Sequence, residues 1–301
     1  MMIKILIAAL AVSLIGLLIG LLLGFAADRF AVETDPREAK VREALPGNNC
    51  GGCGYAGCDG LAKAIAEGKA PADACPVGGG PVAKQIADIM GVSVEDGPKT
   101  AAFVACAGTC TLAGKKYEYY GASDCAAASV VPGMGDKACS FGCLGLGSCV
   151  RACPFDAIHI VHGIAKVDSE KCRSCRKCVA ACPKHLISIL PVEREFKIAC
   201  HNTDRGPTVK KNCQVGCIGC GLCAKNCPCG AITMEQNLPV FDYSKCSDCG
   251  QCALKCPAHA ITETVEIANQ RAEEEMKRAA AIEAAKKAAA AKAAAKTTEN
   301  K

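Results

Sequence analysis

The sequence predicts an α+β chain: an N-terminal apolar helix, then small modules built on cysteine, then a helical tail rich in Ala, Lys and Glu. Three observations carry this. There are 26 cysteines in 301 residues, while Trp is absent and aromatics make up 4%. Residues 3–27 contain one charge, Lys4, and residues 268–301 contain no Cys, Gly or Pro. So few aromatics exclude a large aromatic core. Bound metal must therefore supply part of the folding free energy, as it does in small metallo-domains.

The densest stretch runs from Cys139 to Cys256. Three runs within it, Cys172-x2-Cys175-x2-Cys178-x3-Cys182-Pro183, Cys217-x2-Cys220-x2-Cys223-x3-Cys227-Pro228 and Cys246-x2-Cys249-x2-Cys252-x3-Cys256-Pro257, have the spacing of bacterial ferredoxins. There the first three thiolates grip one [4Fe-4S] cubane and the fourth ligates the neighbouring cluster. Interlocking assigns Cys172, Cys175 and Cys178 with Cys153, then Cys217, Cys220 and Cys223 with Cys256, then Cys246, Cys249 and Cys252 with Cys227. A fourth run, ending in Cys149-x3-Cys153-Pro154, has Leu146 at the middle cysteine's place. Cys139 is expected to substitute, giving Cys139, Cys143, Cys149 and Cys182.

Cys139-x3-Cys143 written against Cys213-x3-Cys217 shows that the region is two copies of one unit. Each copy predicts a small hairpin, over 157–168 and over 231–242. Two tandem two-cluster ferredoxin-like domains follow. Zinc sites pair cysteines with a distant second pair, and disulfide frameworks belong to oxidising compartments. Neither matches interlocked triplets closed by Cys-Pro.

Upstream, Cys50, Cys53, Cys58 and Cys75, spaced x2, x4 and x16 among glycines, suit one more [4Fe-4S] site. Helices are expected over 61–68 and 82–90, with a turn at Asp96-Gly-Pro98. Five clusters are thus expected. Six cysteines remain: Cys106, Cys110, Cys125, Cys200, Cys213 and Cys229. The repeat favours Cys106, Cys125, Cys200 and Cys213 as a further cluster; Cys110 or Cys229 replacing one of them, or unligated buried thiols, are the alternatives.

Residues 3–27 are long enough to span a bilayer as one transmembrane helix. Gly16, Gly20 and Gly24 share one face, the small-residue pattern that lets a second membrane helix approach. Arg29, Arg37, Lys40 and Arg42 follow the span, so the positive-inside rule places the cluster domains in the cytoplasm. The expected divisions are 1–27 span, 28–98 linker and first module, 99–138 lead-in, 139–191 and 192–265 ferredoxin-like domains, and 266–301 a charged tail, either a solvent-exposed helix or partly disordered.

The net charge of +5 is mild, but residues 171–184 hold Lys171, Arg173, Arg176, Lys177 and Lys184 with no acid. These cations offset cluster charge or form a docking face for an acidic electron carrier. Without interleaved aromatics the patch does not suit nucleic acid. No Gly-x-Gly-x-x-Gly follows a strand and no phosphate loop occurs, so neither an NAD nor a flavin site is expected. His159, His162, His185, His201 and His259 pair into no metal signature.

In the order of its parts, residues 1 to about 265 resemble the B subunits of Rnf complexes, the ion-translocating ferredoxin:NAD+ oxidoreductases of bacterial membranes, in the longer form with two ferredoxin-like domains. The resemblance implies a single-pass protein of the cytoplasmic membrane, held by lipid and by the other membrane and cytoplasmic subunits. It would take electrons from reduced ferredoxin into a translocase that reduces NAD+ and moves Na+ or H+. Feeding a redox sensor or another low-potential enzyme, or acting as a cluster-dependent scaffold, are the rival expectations.

Overall fold

The computed structural model describes residues 2–29, 35–94, 97–277 and 282–283. Of the sequence expectations, Met1, Asp96 of the 96–98 turn and most of the tail lie outside them. Helix α1 (Met2–Arg29) is continuous. Its described side chains from Leu14 to Phe25 are exposed, and a Cβ at Gly16, Gly20 or Gly24 would meet nothing within 4 Å. Among the described residues no helix is long and apolar enough to cross a membrane.

Helix α2 (Pro36–Ala44) starts where Pro36 presets φ and Asp35 accepts the Arg37 N–H at 2.8 Å. It packs with α3 (Cys58–Ala66) and α4 (Gly79–Met90) around Val41, Leu61, Ile65 and Ile86, each at most 2% exposed. This core holds the first module. Left-handed Gly91 stops α4.

Strand β1 (Thr100–Val104) follows, then α5 (Cys125–Ser129) and α6 (Ser148–Ala152). The first copy continues with β2 (Ile158–Val161), β3 (Ile164–Val167), α7 (Lys177–Ala181) and β4 (Ile187–Pro191). The hairpin β2–β3 pairs Ile158 with Val167. β1 pairs antiparallel with β4, Thr100 opposite Pro191, so the lead-in is structurally part of the first ferredoxin-like unit rather than a separate segment.

The second copy contains α8 (Gly206–Asn212), α9 (Leu222–Lys225), β5 (Ile232–Glu235), β6 (Leu238–Phe241) and α10 (Gln251–Leu254), with β5 and β6 forming its hairpin. The strand pair of the first copy shrinks here to one bridge, Ile198 with Ile261. The two lead-ins bond to each other: the Ala107 N–H donates to Ala199 O at 2.9 Å and the Gln214 N–H to Leu112 O at 2.9 Å.

Residues 265–277 are helical. The tail was expected to lie in solvent; its first turns instead dock on the second copy. Ile267 (9% exposed) joins the core of Phe196, Ile232 and Ile261, and Arg271 (6%) donates to Ala253 O at 2.7 Å and contacts His259 and Glu263. Alternating short side chains hid one apolar and one cationic anchor a helical turn apart.

Candidate metal centres

Four one-turn helices, α6, α7, α9 and α10, are each preceded by a left-handed residue: Gly147, Arg176, Gly221 and Gly250. Two residues earlier stands another positive-φ residue, respectively Gly145, Ser174, Gly219 and Asp248. Before α7, α9 and α10 this double reversal bends a Cys-x2-Cys loop; before α6 the same reversal stands with Leu146 in the middle cysteine's place. Glycine makes the reversal easy, and Arg176 adopts it without that freedom.

Three sets of four thiols each line one cavity, and the sequence spacing orders the other ligand candidates into three more. In the module set, Asn49 Oδ1 accepts the Cys58 N–H at 2.8 Å, which fixes Cys58 at the start of α3. Burial raises the Cys75 thiol, helped by the nearby charges of Cys53 and Cys58. Cys50 faces the next set: its charge acts on Cys175, and a Cβ at Gly52 would lie 3.0 Å from Cys175 O.

Cys153, Cys172, Cys175 and Cys178 line one cavity, with the Ala102 N–H on Cys172 Sγ at 3.3 Å. Burial, reinforced by Cys172 and Cys175, pushes Cys178 up to about 12. Cys178 also feels Cys149, a member of the third set.

That third set is Cys125, Cys143, Cys149 and Cys182, lining one cavity. Cys149 is pushed up to about 11, first by burial and then by Cys143, Cys125 and Cys182. The Ala165 N–H donates to Cys143 Sγ at 3.4 Å. The Cys143 N–H itself donates to Cys106 Sγ at 3.4 Å, in the fourth set.

The fourth, the junction set, is Cys106, Cys139, Cys200 and Cys213, two from each copy around one cavity. A Cβ at Gly108 would sit 3.2 Å from Cys213 Sγ and 3.9 Å from Cys106 Sγ; the bare backbone leaves the space before the sulfurs free. Cys200 is pushed up to about 12 by burial, with Cys217 and Cys139 adding to it. The Cys217 N–H donates to Cys200 Sγ at 3.3 Å, linking to the fifth set.

In the fifth set, Cys223 is raised to about 11 by burial and by Cys217, Cys256 and Cys220. In the last, Cys252 is raised to about 12 by burial and then by Cys223, Cys246 and Cys249, while Cys227 accepts the Ala231 N–H at 3.3 Å. Cys110 and Cys229 are exposed and outside the sets. Among the described residues no three His, Cys, Asp or Glu side chains meet closely enough for a single ion. Thiols that ring a void, with N–H donors on their sulfurs, suit a cubane that brings its own sulfide.

Comparison with known proteins finds iron–sulfur families along the same cysteine-rich stretches. Residues 45–77 match the "Putative Fe-S cluster" family, and residues 135–183, 171–231 and 216–260 match 4Fe-4S dicluster domains. The chain is 46% identical over 247 residues to the B subunit of the Na+-translocating ferredoxin:NAD+ oxidoreductase complex of Acetobacterium woodii, covering 82% of this chain and 74% of that one. It is 40% identical over 245 residues to the proton-translocating counterpart of Clostridium ljungdahlii (81% and 86%), and 40% over 219 residues to the B subunit of an ion-translocating oxidoreductase complex of Methanosarcina acetivorans (72% and 83%). The chain belongs to the B-subunit family of Rnf complexes. It is an iron–sulfur electron-transfer subunit that carries several [4Fe-4S] clusters.

For this Rnf protein the structure exchanges two cysteines relative to the expected sets. Cys139, expected beside Cys143, Cys149 and Cys182, faces Cys106, Cys200 and Cys213; Cys125, expected among those three, faces Cys149. The cause is local. Asp124 caps α5 and, with Ser148 and Arg151, holds Cys125 beside Cys149. Sequence held the signal: in the repeat Cys139 aligns with Cys213, and aligned positions meet where the lead-ins pair.

Proposed function

We propose that this chain carries electrons from reduced ferredoxin into a membrane complex that reduces NAD+ and moves Na+ or H+. The observation that supports the reading is the unbroken order of the thiol sets, each near enough to act on the next. The module set meets the Cys172 set, then the Cys149, junction, Cys223 and Cys252 sets in turn.

Under this reading the ligands are Cys50, Cys53, Cys58 and Cys75; Cys153, Cys172, Cys175 and Cys178; Cys125, Cys143, Cys149 and Cys182; Cys106, Cys139, Cys200 and Cys213; Cys217, Cys220, Cys223 and Cys256; and Cys227, Cys246, Cys249 and Cys252. When bound, each cubane supplies a one-electron couple. The chain's residues hold it, space it from the next and tune it by N–H donors and burial. No acid, base or nucleophile is needed.

Helix α1 anchors the chain, its apolar side chains facing lipid and its glycine face open to another membrane helix, with the cysteine modules on the cytoplasmic side. Lys171, Arg173, Arg176 and Lys177 are exposed around the Cys172 set and form the docking face for acidic ferredoxin. The deciding experiment counts iron and acid-labile sulfide in the full chain purified without oxygen. Six cubanes require about 24 irons and five require about 20; little iron, with zinc or disulfides in its place, would overturn the relay.

A further inference from the structure

Buried polar side chains are concentrated at one centre. Among the described residues four polar or charged side chains are buried: Lys137, Ser174, Asn202 and Arg271. Two of them, Lys137 and Asn202, line the junction cavity. Ser174 is taken up by Thr100, and Arg271 by Ala253 and its ionic neighbours.

Lys137 is 8% exposed and its Nζ donates to Gly108 O at 2.8 Å. No carboxylate lines the cavity. A buried ammonium with one carbonyl is costly unless nearby negative charge offsets its desolvation. The groups that can do so are the sulfurs: its charge acts on Cys213, and on Cys143 of the adjoining set.

Asn202 is 1% exposed, and its orientation is fixed. Its Oδ1 accepts the Asp204 N–H at 2.7 Å, so the Nδ2 donor faces Cys139 Sγ at 3.3 Å. With the Cys143 and Cys217 N–H groups and the Val215 backbone on Cys213, all four junction sulfurs accept a donor. Burial does not separate the sets, because Cys106, Cys139 and Cys200 (8–9% exposed) match Cys149, Cys178, Cys223 and Cys252 (6–8%). The lysine and the amide do.

We propose that Lys137 and Asn202 would make a cubane held by the junction thiols the most readily reduced of the six. This rests on the reading that Cys106, Cys139, Cys200 and Cys213 hold a cubane. Reduction adds one negative charge, which a fixed cation and N–H donors stabilise. Lys184, half-buried with its Nζ on Ser140 O at 2.7 Å, faces both Cys139 and Cys182 and adds less, being nearer solvent.

The test is an anaerobic redox titration of the full chain followed by electron paramagnetic resonance, with iron counted in each sample. In the wild type one centre should be reduced before the other five. Lys137→Met should shift that couple down about tenfold in the reduced-to-oxidised ratio, 59 mV for one electron, with iron unchanged. Lys137→Arg should restore it, and Asn202→Leu should shift it the same way by less. An unmoved couple at full iron content overturns the proposal, as does loss of about four irons from both Lys137→Met and Asn202→Leu, which would make the two side chains structural. Failure of the underlying reading looks different: about 20 irons in the wild type and none removed by Cys200→Ala.

Discussion

Ser148 Oγ accepts the Cys125 N–H at 2.8 Å and donates to Asp124 Oδ2 at 2.8 Å, tying the loop that carries Cys125 to the helix that carries Cys149. Ser148→Ala removes both bonds and leaves a part-buried N–H unpaired, at a cost of about 1–3 kcal/mol. Iron release to a chelator should become biphasic, with about four irons leaving early. Release as slow as in the wild type would show that the loop is held by other means.

The same carboxylate sets an acid limit. Asp124 lies below its ordinary value because of the Ala127 N–H, the Ser148 hydroxyl and Arg151. A depressed folded pKa means its contribution is present above the unfolded value of about 3.9 and is lost as pH falls through the lower folded one. At pH 6, where Asp124 is ionised, Asp124→Asn should lose about four irons to a chelator faster than the wild type, and the difference between the two should close as pH falls through the lower folded value.

Cys139→Ser and Cys125→Ser should each lower the iron count by about four, but from different centres. The first should erase the spectroscopic signal that responds to Lys137→Met; the second should leave it. Loss of the same signal in both variants would return Cys139 to the Cys149 set.

In the cluster-free chain, burial raises Cys178, Cys200 and Cys252 to about 12, and Cys149 and Cys223 to about 11. A thiol whose folded pKa exceeds its unfolded value of about 8.5 stabilises the fold below that value, and loses this as pH rises through the folded pKa. The apo chain should therefore melt progressively lower above pH 9, and rebuilding clusters should release protons. A melting temperature flat from pH 8 to 11 would contradict the burial of these thiols.

A Cβ at Gly250 would meet Ile267 Cδ1 at 2.6 Å and Phe196 Cζ at 2.9 Å, at φ +73°. Gly250→Ala should cost about 1–3 kcal/mol through overpacking and strain, and Ile267→Ala about 2–5 kcal/mol. Both should expose residues 265–277 to protease before the rest of the second copy; simultaneous cleavage everywhere would show that the helix is not a separate cap.

Cysteine spacing made the modular plan legible, because a short-range ligand pattern survives without long-range information. The two hairpins were legible from alternation around Gly163 and Asn237. What escaped was decided by tertiary contact. Cys125 takes its partners through the hydroxyl of Ser148, which lies 23 residues on, and Thr100–Val104 joins the first unit by pairing with a strand that lies beyond two cysteine runs. Arg271 carries no sequence signal of burial, since the carbonyl it meets belongs to another helix.

The mutual bonding of the lead-ins, Ala107 to Ala199 and Leu112 to Gln214, gives the junction centre a dual parentage. Each copy supplies two of its four thiols from equivalent places. One copy alone holds half of a ligand set, and only a second copy, fused or associated, completes it. On the proposed ligand sets, the repeat thus holds a four-thiol site that a single unit lacks, set between its two copies.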